Sequence, residues 1–117
     1  MWYSLKYTDK MPDGIAGYAK AWFIRIRPQY RDDVGILKHE EIHVKQFYRS
    51  LGFSNLMHTL LKKSKLRAEV EAYREQLKWP PAMADRAHYL NCYAGFIADK
   101  ARYGLDISVV EARRLLE

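Results

Sequence analysis

The stretch GILKHEEIHVKQF, residues 35–47, carries two histidines four residues apart, with a glutamate directly after the first. It is either an ordinary helix face that happens to bear histidines or a metal site. At about 100° per residue, Ile36, Leu37, Val44, Phe47, Tyr48 and Leu51 form one apolar arc, and Glu40 falls in its middle. Lys38, Glu41, Lys45 and Arg49 gather on the side facing water. His39, His43 and Gln46 line the border of the arc, where a cleft can open. Positions i and i+4 lie one turn apart on one helix face, so His39 and His43 can bind one ion together. A carboxylate in a core-facing arc costs several kcal/mol, by order of magnitude, unless something pairs with it. Water on a metal held by the two histidines is such a partner for Glu40. A pair of surface histidines beside a stray glutamate would leave that placement unexplained.

Two histidines do not complete a catalytic zinc site, which takes three protein ligands and keeps one position open. The segment SKLRAEVEAYREQLK, residues 64–78, offers Glu69, Glu71 and Glu75. Leu66, Val70, Tyr73 and Leu77 define its buried stripe at helical spacing. Glu69 borders that stripe, whereas Glu71 and Glu75 point roughly the opposite way, into solvent. Glu69 is therefore the expected third ligand.

An H-E-x-x-H helix followed by a glutamate on the next long helix resembles the gluzincin metallopeptidases. EVEAY, Glu69 to Tyr73, is similar to the E-x-x-A-D signature of several of those families. HEEIHVKQF is also similar to the H-E-x-x-H-V-x-Q form of small metallopeptidase-like proteins, often phage or bacterial. The resemblance covers roughly residues 18–78. It implies His39, His43 and Glu69 as zinc ligands and Glu40 as general base. It also implies that the strand before the helix is an edge along which an extended substrate lies. Tyr73 stands where the signature has aspartate, and a chain of 117 residues is expected to lack the sizeable second domain of larger gluzincins. Tyr73 is the aromatic expected in the cleft, donating a hydrogen bond to a developing oxyanion.

The length of 117 residues predicts a single domain spanning residues 1–117. Hydrophobic residues at 49% are enough for a folded chain. A lone cysteine, Cys92, excludes an internal disulfide and a cysteine-rich zinc site. The opening MWYSLKYTDKMPDG has no basic and then apolar leader pattern, and no apolar run nears the roughly 20 residues of a membrane span. A cytoplasmic location is the corresponding expectation. The formal net charge of +6 permits an acidic partner, but the basic residues are spread along the chain. The resemblance to gluzincins, not the charge, implies a peptide or protein substrate as partner. A zinc-stabilised binding domain without turnover and a small basic nucleic-acid-binding protein are the competing readings.

The expected class is α+β, a small antiparallel sheet followed by a helical bundle. WYSLKYT alternates loosely, Met11-Pro12-Asp13-Gly14 signals a turn, and GYAKAWFIRIR reads as one strand stopped by Pro28. In that strand Tyr18, Trp22, Ile24 and Ile26 share one face, Lys20 interrupts it, and Arg25 and Arg27 occupy the other. Asp32 or Asp33 caps the first helix and Gly52 ends it. A short helix is expected over NLMHTLL after Ser54, a second from Ser64 to Pro80, and a long one from Pro81 to about Tyr103. Ser108 and Glu111 form a capping box for the last. His58 and His88 read as surface residues, and Cys92 as core beside Tyr89, Phe96 and Tyr103.

Overall fold

The computed structural model describes residues 2–51, 60–79 and 85–117. Three strands come first, β1 (Ser4–Tyr7), β2 (Gly17–Lys20) and β3 (Phe23–Ile26). A 3-10 turn over Pro28–Tyr30 leads into α1 (Val34–Arg49), followed by α2 (Lys62–Gln76), α3 (Arg86–Ala98), α4 (Lys100–Tyr103) and α5 (Val109–Leu116). The class is α+β. The expected short helix after Ser54, His58, Gly52 and the Pro81 start lie outside the described residues.

The sheet is mixed rather than antiparallel, with strand order β1-β3-β2. GYAKAWFIRIR is not one strand but a hairpin: Lys20 pairs with Phe23 and leaves Ala21-Trp22 as a two-residue turn. Ala21 adopts φ +53°, the left-handed conformation such turns require. The turn lacks the Asn or Gly that usually announces one, so alternation alone reads straight through it. Folding back also swaps faces. Tyr18 lies opposite Arg25, whereas Gly17 and Ala19 lie opposite the buried Ile26 and Ile24. The loop from β1 carries the chain past the slot that β3 then fills, which makes β3 parallel to β1. Arg27 pins that loop, donating from Nε to Ile15 O at 2.7 Å and from Nη2 to Pro12 O at 2.9 Å.

Asp33 caps α1, its side chain accepting from the Ile36 amide at 3.2 Å. Ile36, Leu37 and Val44 of the predicted arc pack with Ile24 and Ile26 into a first core. Tyr48 and Leu51, placed in the same arc, are exposed. Sixteen helical residues span about 24 Å and four strand residues only about 13 Å, so the helix overhangs the sheet. Phe47 and Tyr48 there meet the rings of Trp22 and Trp2.

A second core joins Tyr73 of α2 and Leu77 just past its end to Leu90, Tyr93, Ala94 and Ile97 of α3, Leu105, and Ala112 and Leu116 of α5. Cys92 packs against it, as expected. The helix predicted to run on to Tyr103 breaks at Asp99, whose backbone is extended (φ −72°, ψ 108°) and whose carboxylate caps the Ala101 amide at 3.0 Å. An Asp side chain competes with the helix for backbone amides, which hydrophobic periodicity does not register. Ser108 accepts from the Glu111 amide at 3.1 Å, the expected cap of α5. No helix among the described residues is long and apolar enough to cross a membrane.

Helices α1 and α2 run antiparallel and close together. A Cβ on Gly35, near the start of α1, would lie 2.9 Å from Trp79 O beyond the end of α2, so only glycine permits this approach. Ala68 and Ala72 are buried on α2. This seam between the two cores carries the residues singled out above.

Candidate metal centre

His39 and Glu40 are buried on α1 and Glu69 on α2, while His43 is partly buried. His39 Nε2 and His43 Nε2 lie 3.3 Å apart. Glu69 bridges them, with Oε1 3.4 Å from His39 Nε2 and Oε2 3.2 Å from His43 Nε2. A tetrahedral ion with bonds of about 2.0–2.1 Å holds its ligands roughly 3.3 Å apart. The observed separations match that spacing. Glu69 Oε1 is buried without a hydrogen bond, as is His39 Nδ1. A carboxylate oxygen withdrawn from water, with only His39 Nε2 at 3.4 Å and no hydrogen bond, is expensive, and a cation at the centre of the triangle would satisfy it. The donor set of two imidazoles and one carboxylate fits a metal ion of the zinc or iron(II) kind.

The electrostatics follow from crowding ionisable groups in a buried site. Burial disfavours the charged form of His43, but Glu69 outweighs it and raises the imidazole to about 9. For Glu69, burial pushes the carboxyl up, and the two histidines overcome that and hold it well below the ordinary range. Glu40 responds differently: burial raises it, and the partial compensation from His39 and His43 does not cancel the effect. Glu40 is thus the carboxyl of the pair that holds a proton more tightly, beside a site that favours the ionised form of Glu69.

A cavity of about 500 Å³ opens onto this cluster, lined by His39, Glu40, His43, Glu69, Tyr73 and Tyr103. Strand β2 forms one wall through Gly17 and Ala19. The Arg27 amide donates to Ala16 O, which marks 16 and 27 as a hydrogen-bonded pair. By the alternation of an antiparallel ladder, Gly17 and Ala19 then turn their backbone N–H and C=O away from β3, towards the open edge.

Tyr73 is buried with its ring against His39, centroids 4.4 Å apart, and its hydroxyl lies 2.7 Å from that of Tyr103. Burial raises both phenols above their ordinary value, so both carry their protons at neutral pH. Tyr103 was read from the sequence only as a packing residue; no local motif marks it, because α4 brings it over the site from 30 residues away. His88 is exposed, 3.6 Å from Cys92 Sγ, and stands apart from the cluster.

Glu71 is partly exposed, as expected, but it is not without partners: it accepts from Gln46 Nε2 at 2.7 Å and from Arg49 Nη2 at 2.7 Å. Gln46 Nε2 also donates to Ala68 O at 3.1 Å, and Gln46 Oε1 lies 3.0 Å from His43 Nδ1. The wheel placed Gln46 correctly at the border of the arc, but its partners come from α2 and only packing reveals them. Beyond Gln46 lies a larger groove of about 1160 Å³, edged by Arg49, Arg67 and Arg74, with no histidine or cysteine among its described lining residues. The possible metal-binding cluster lines the smaller cavity.

No family model matches the chain, and searches of curated proteins and of solved structures return no match. The likeness to gluzincins therefore stands on His39, Glu40, His43, Glu69 and their geometry. These residues form a possible metal-binding triad with an adjacent carboxyl.

Proposed function

We propose that this protein is a small zinc-dependent peptide hydrolase of gluzincin type, with His39, His43 and Glu69 as metal ligands and Glu40 as general base. The observation that carries the reading is the convergence of three donors 3.2–3.4 Å apart beside a fourth, buried carboxyl. Zinc held by such a triad supplies Lewis-acid polarisation of a carbonyl and acidifies water. The same donor set serves iron(II) in oxygenases, but a proton-accepting carboxylate at Glu40 is what hydrolysis needs.

Glu40 takes the proton of the attacking water and passes it to the leaving amine. Its raised affinity for a proton suits both halves of that exchange. The free N–H and C=O groups of Gly17 and Ala19 hold an extended peptide by strand addition along β2. The Tyr73–Tyr103 pair supplies a neutral hydroxyl donor to the developing oxyanion. If Tyr73 donates to Tyr103, the less buried Tyr103 turns its own proton to the cavity.

The experiment is metal analysis of the purified protein together with hydrolysis of a fluorogenic peptide library by the wild type and by Glu40→Gln. About one zinc per chain, and turnover that the substitution removes, supports the proposal. Zinc without turnover on any peptide leaves a metal-stabilised binding domain. A metal-free protein with a steeply salt-dependent affinity for DNA or RNA would instead favour the basic nucleic-acid reading.

A further inference from the structure

Gln46 is buried, and its amide touches three groups at once. On one side Nε2 meets two groups that can only accept, the Ala68 carbonyl at 3.1 Å and the Glu71 carboxylate at 2.7 Å. An amide has two N–H donors on its nitrogen and none on its oxygen, so those two acceptors consume the donors and fix which way the amide faces. Flipping it would set Oε1 against a carbonyl and a carboxylate. Oε1 is therefore directed at His43 Nδ1, 3.0 Å away, and it can only accept. That requires a proton on Nδ1. In the neutral ring the lone pair is then on Nε2, the atom that faces His39 and Glu69.

We infer that Gln46 is a positioning residue that locks His43 in the Nδ1–H tautomer, and that Ala68 O and Glu71 lock Gln46 in turn. A histidine side chain free in water has no such constraint and favours the opposite tautomer, with its proton on Nε2, which cannot ligate through that atom. The lock is built from α2 side chain and backbone acting on an α1 ligand, so packing the two helices also prepares the donor. It is one-sided. His39 Nδ1 is buried without a hydrogen-bond partner, so among the described residues His39 has no equivalent. Ligating histidines generally donate their second nitrogen to a fixed acceptor, and loss of that acceptor commonly weakens metal binding by about 10–100-fold. The effect on affinity rests on the metal reading above, whereas the tautomer is set by Gln46 Oε1 at Nδ1 against Glu69 Oε2, which competes for a proton on Nε2 from 3.2 Å.

The test is nitrogen-15 NMR of histidine-labelled, metal-free protein, at a pH where the spectrum itself shows the His43 ring neutral. The wild type is expected to show His43 protonated on Nδ1, and Gln46→Leu to shift it towards the Nε2–H form. Zinc titrations against a competing chelator should show affinity about 10–100-fold weaker for Gln46→Leu. Ile97→Ala serves as control, because it truncates a fully buried side chain of the other core without touching His43 and should keep wild-type affinity. Nε2–H in the wild type overturns the lock, whatever Gln46→Leu does to folding. An unchanged tautomer and affinity in Gln46→Leu overturns it as well. Should the wild type bind no zinc yet show Nδ1–H that Gln46→Leu loses, the lock stands and the hydrolase reading falls.

Discussion

Two helix pairs in this molecule are built on opposite principles. The seam of α3 and α5 buries Leu90, Tyr93, Ala94 and Ile97 against Ala112 and Leu116. The seam of α1 and α2 buries His39, Glu40, Gln46, Glu69 and Gln76, every buried polar or charged residue among those described. The first is what folding needs: apolar area removed from water contributes about 25 cal/mol per Å² without directional demands. The second is an expensive way to join two helices, because each polar group must find a partner or cost about 1–3 kcal/mol. A chain that already makes one kind of seam does not need the other for stability. Its placement at a cavity argues that the polar seam serves chemistry.

The comparison is broken most decisively at Glu40. Glu40→Gln should lower peptide hydrolysis by about 10²–10⁴-fold, the usual reach of a general acid–base group, while leaving zinc occupancy unchanged. Stability should move the other way. Burial raises the Glu40 carboxyl above its ordinary 4.5, so in metal-free protein its ionisation works against the native state once the pH exceeds that value. The amide removes this penalty, so the melting-point gain of Glu40→Gln should be present at pH 7 and small at pH 4. Loss of zinc in this variant would make Glu40 a ligand and sink the assignment.

Next in size, Glu69→Ala should weaken zinc binding several hundredfold. Structural zinc sites bind with about 10–16 kcal/mol in total, so one ligand of a site accounts for about 3–4 kcal/mol. Ile97→Ala probes the other seam: Ile97 is fully buried, and its loss should cost about 2–5 kcal/mol in denaturant unfolding. It should leave zinc affinity unchanged. If Ile97→Ala disturbed the metal as much as Glu69→Ala does, the two seams would not be separable. Chelation of the metal sharpens the contrast from the ligand side. At zinc concentrations near 100 times the dissociation constant, stripping it should lower stability by about 2.7 kcal/mol. The same treatment should leave the melting point of Glu69→Ala unmoved.

The two seams were not equally legible in the sequence. The apolar stripes of α2, and the spacing of His39, Glu40 and His43, follow from helical periodicity, which is a local property of one strand of chain. Glu69 could be chosen because it borders its stripe as His39 borders its arc. What periodicity does not encode is the identity of a partner across the seam. Gln46, Glu71 and Tyr103 acquire their meanings from neighbours 25, 22 and 30 residues away. The hairpin at Ala21 and the break at Asp99 escaped for a different reason. Each is set by a backbone or side-chain conformation at one residue, in a stretch whose hydrophobic pattern runs on undisturbed.

Glu71 supplies the smallest and most discriminating effect. It lies two residues from Glu69, so on a helix the two side chains diverge by about 200° and cannot serve one ion. Its carboxylate is nevertheless tied to the site through Gln46 and to the surface through Arg49, both at 2.7 Å. The Arg49 pair is solvent-exposed on both sides and should contribute less than about 1 kcal/mol. The Gln46 contact matters for orientation rather than energy, and Ala68 O still holds one of the two amide protons when Glu71 is gone. Glu71→Ala should therefore lower zinc affinity by only a few-fold and stability by no more than about 1 kcal/mol. A loss equal to that of Glu69→Ala would mean that α2 is rotated and Glu71 is the ligand. No loss at all, in a protein where Gln46→Leu does weaken binding, would assign the whole amide restraint to the Ala68 carbonyl.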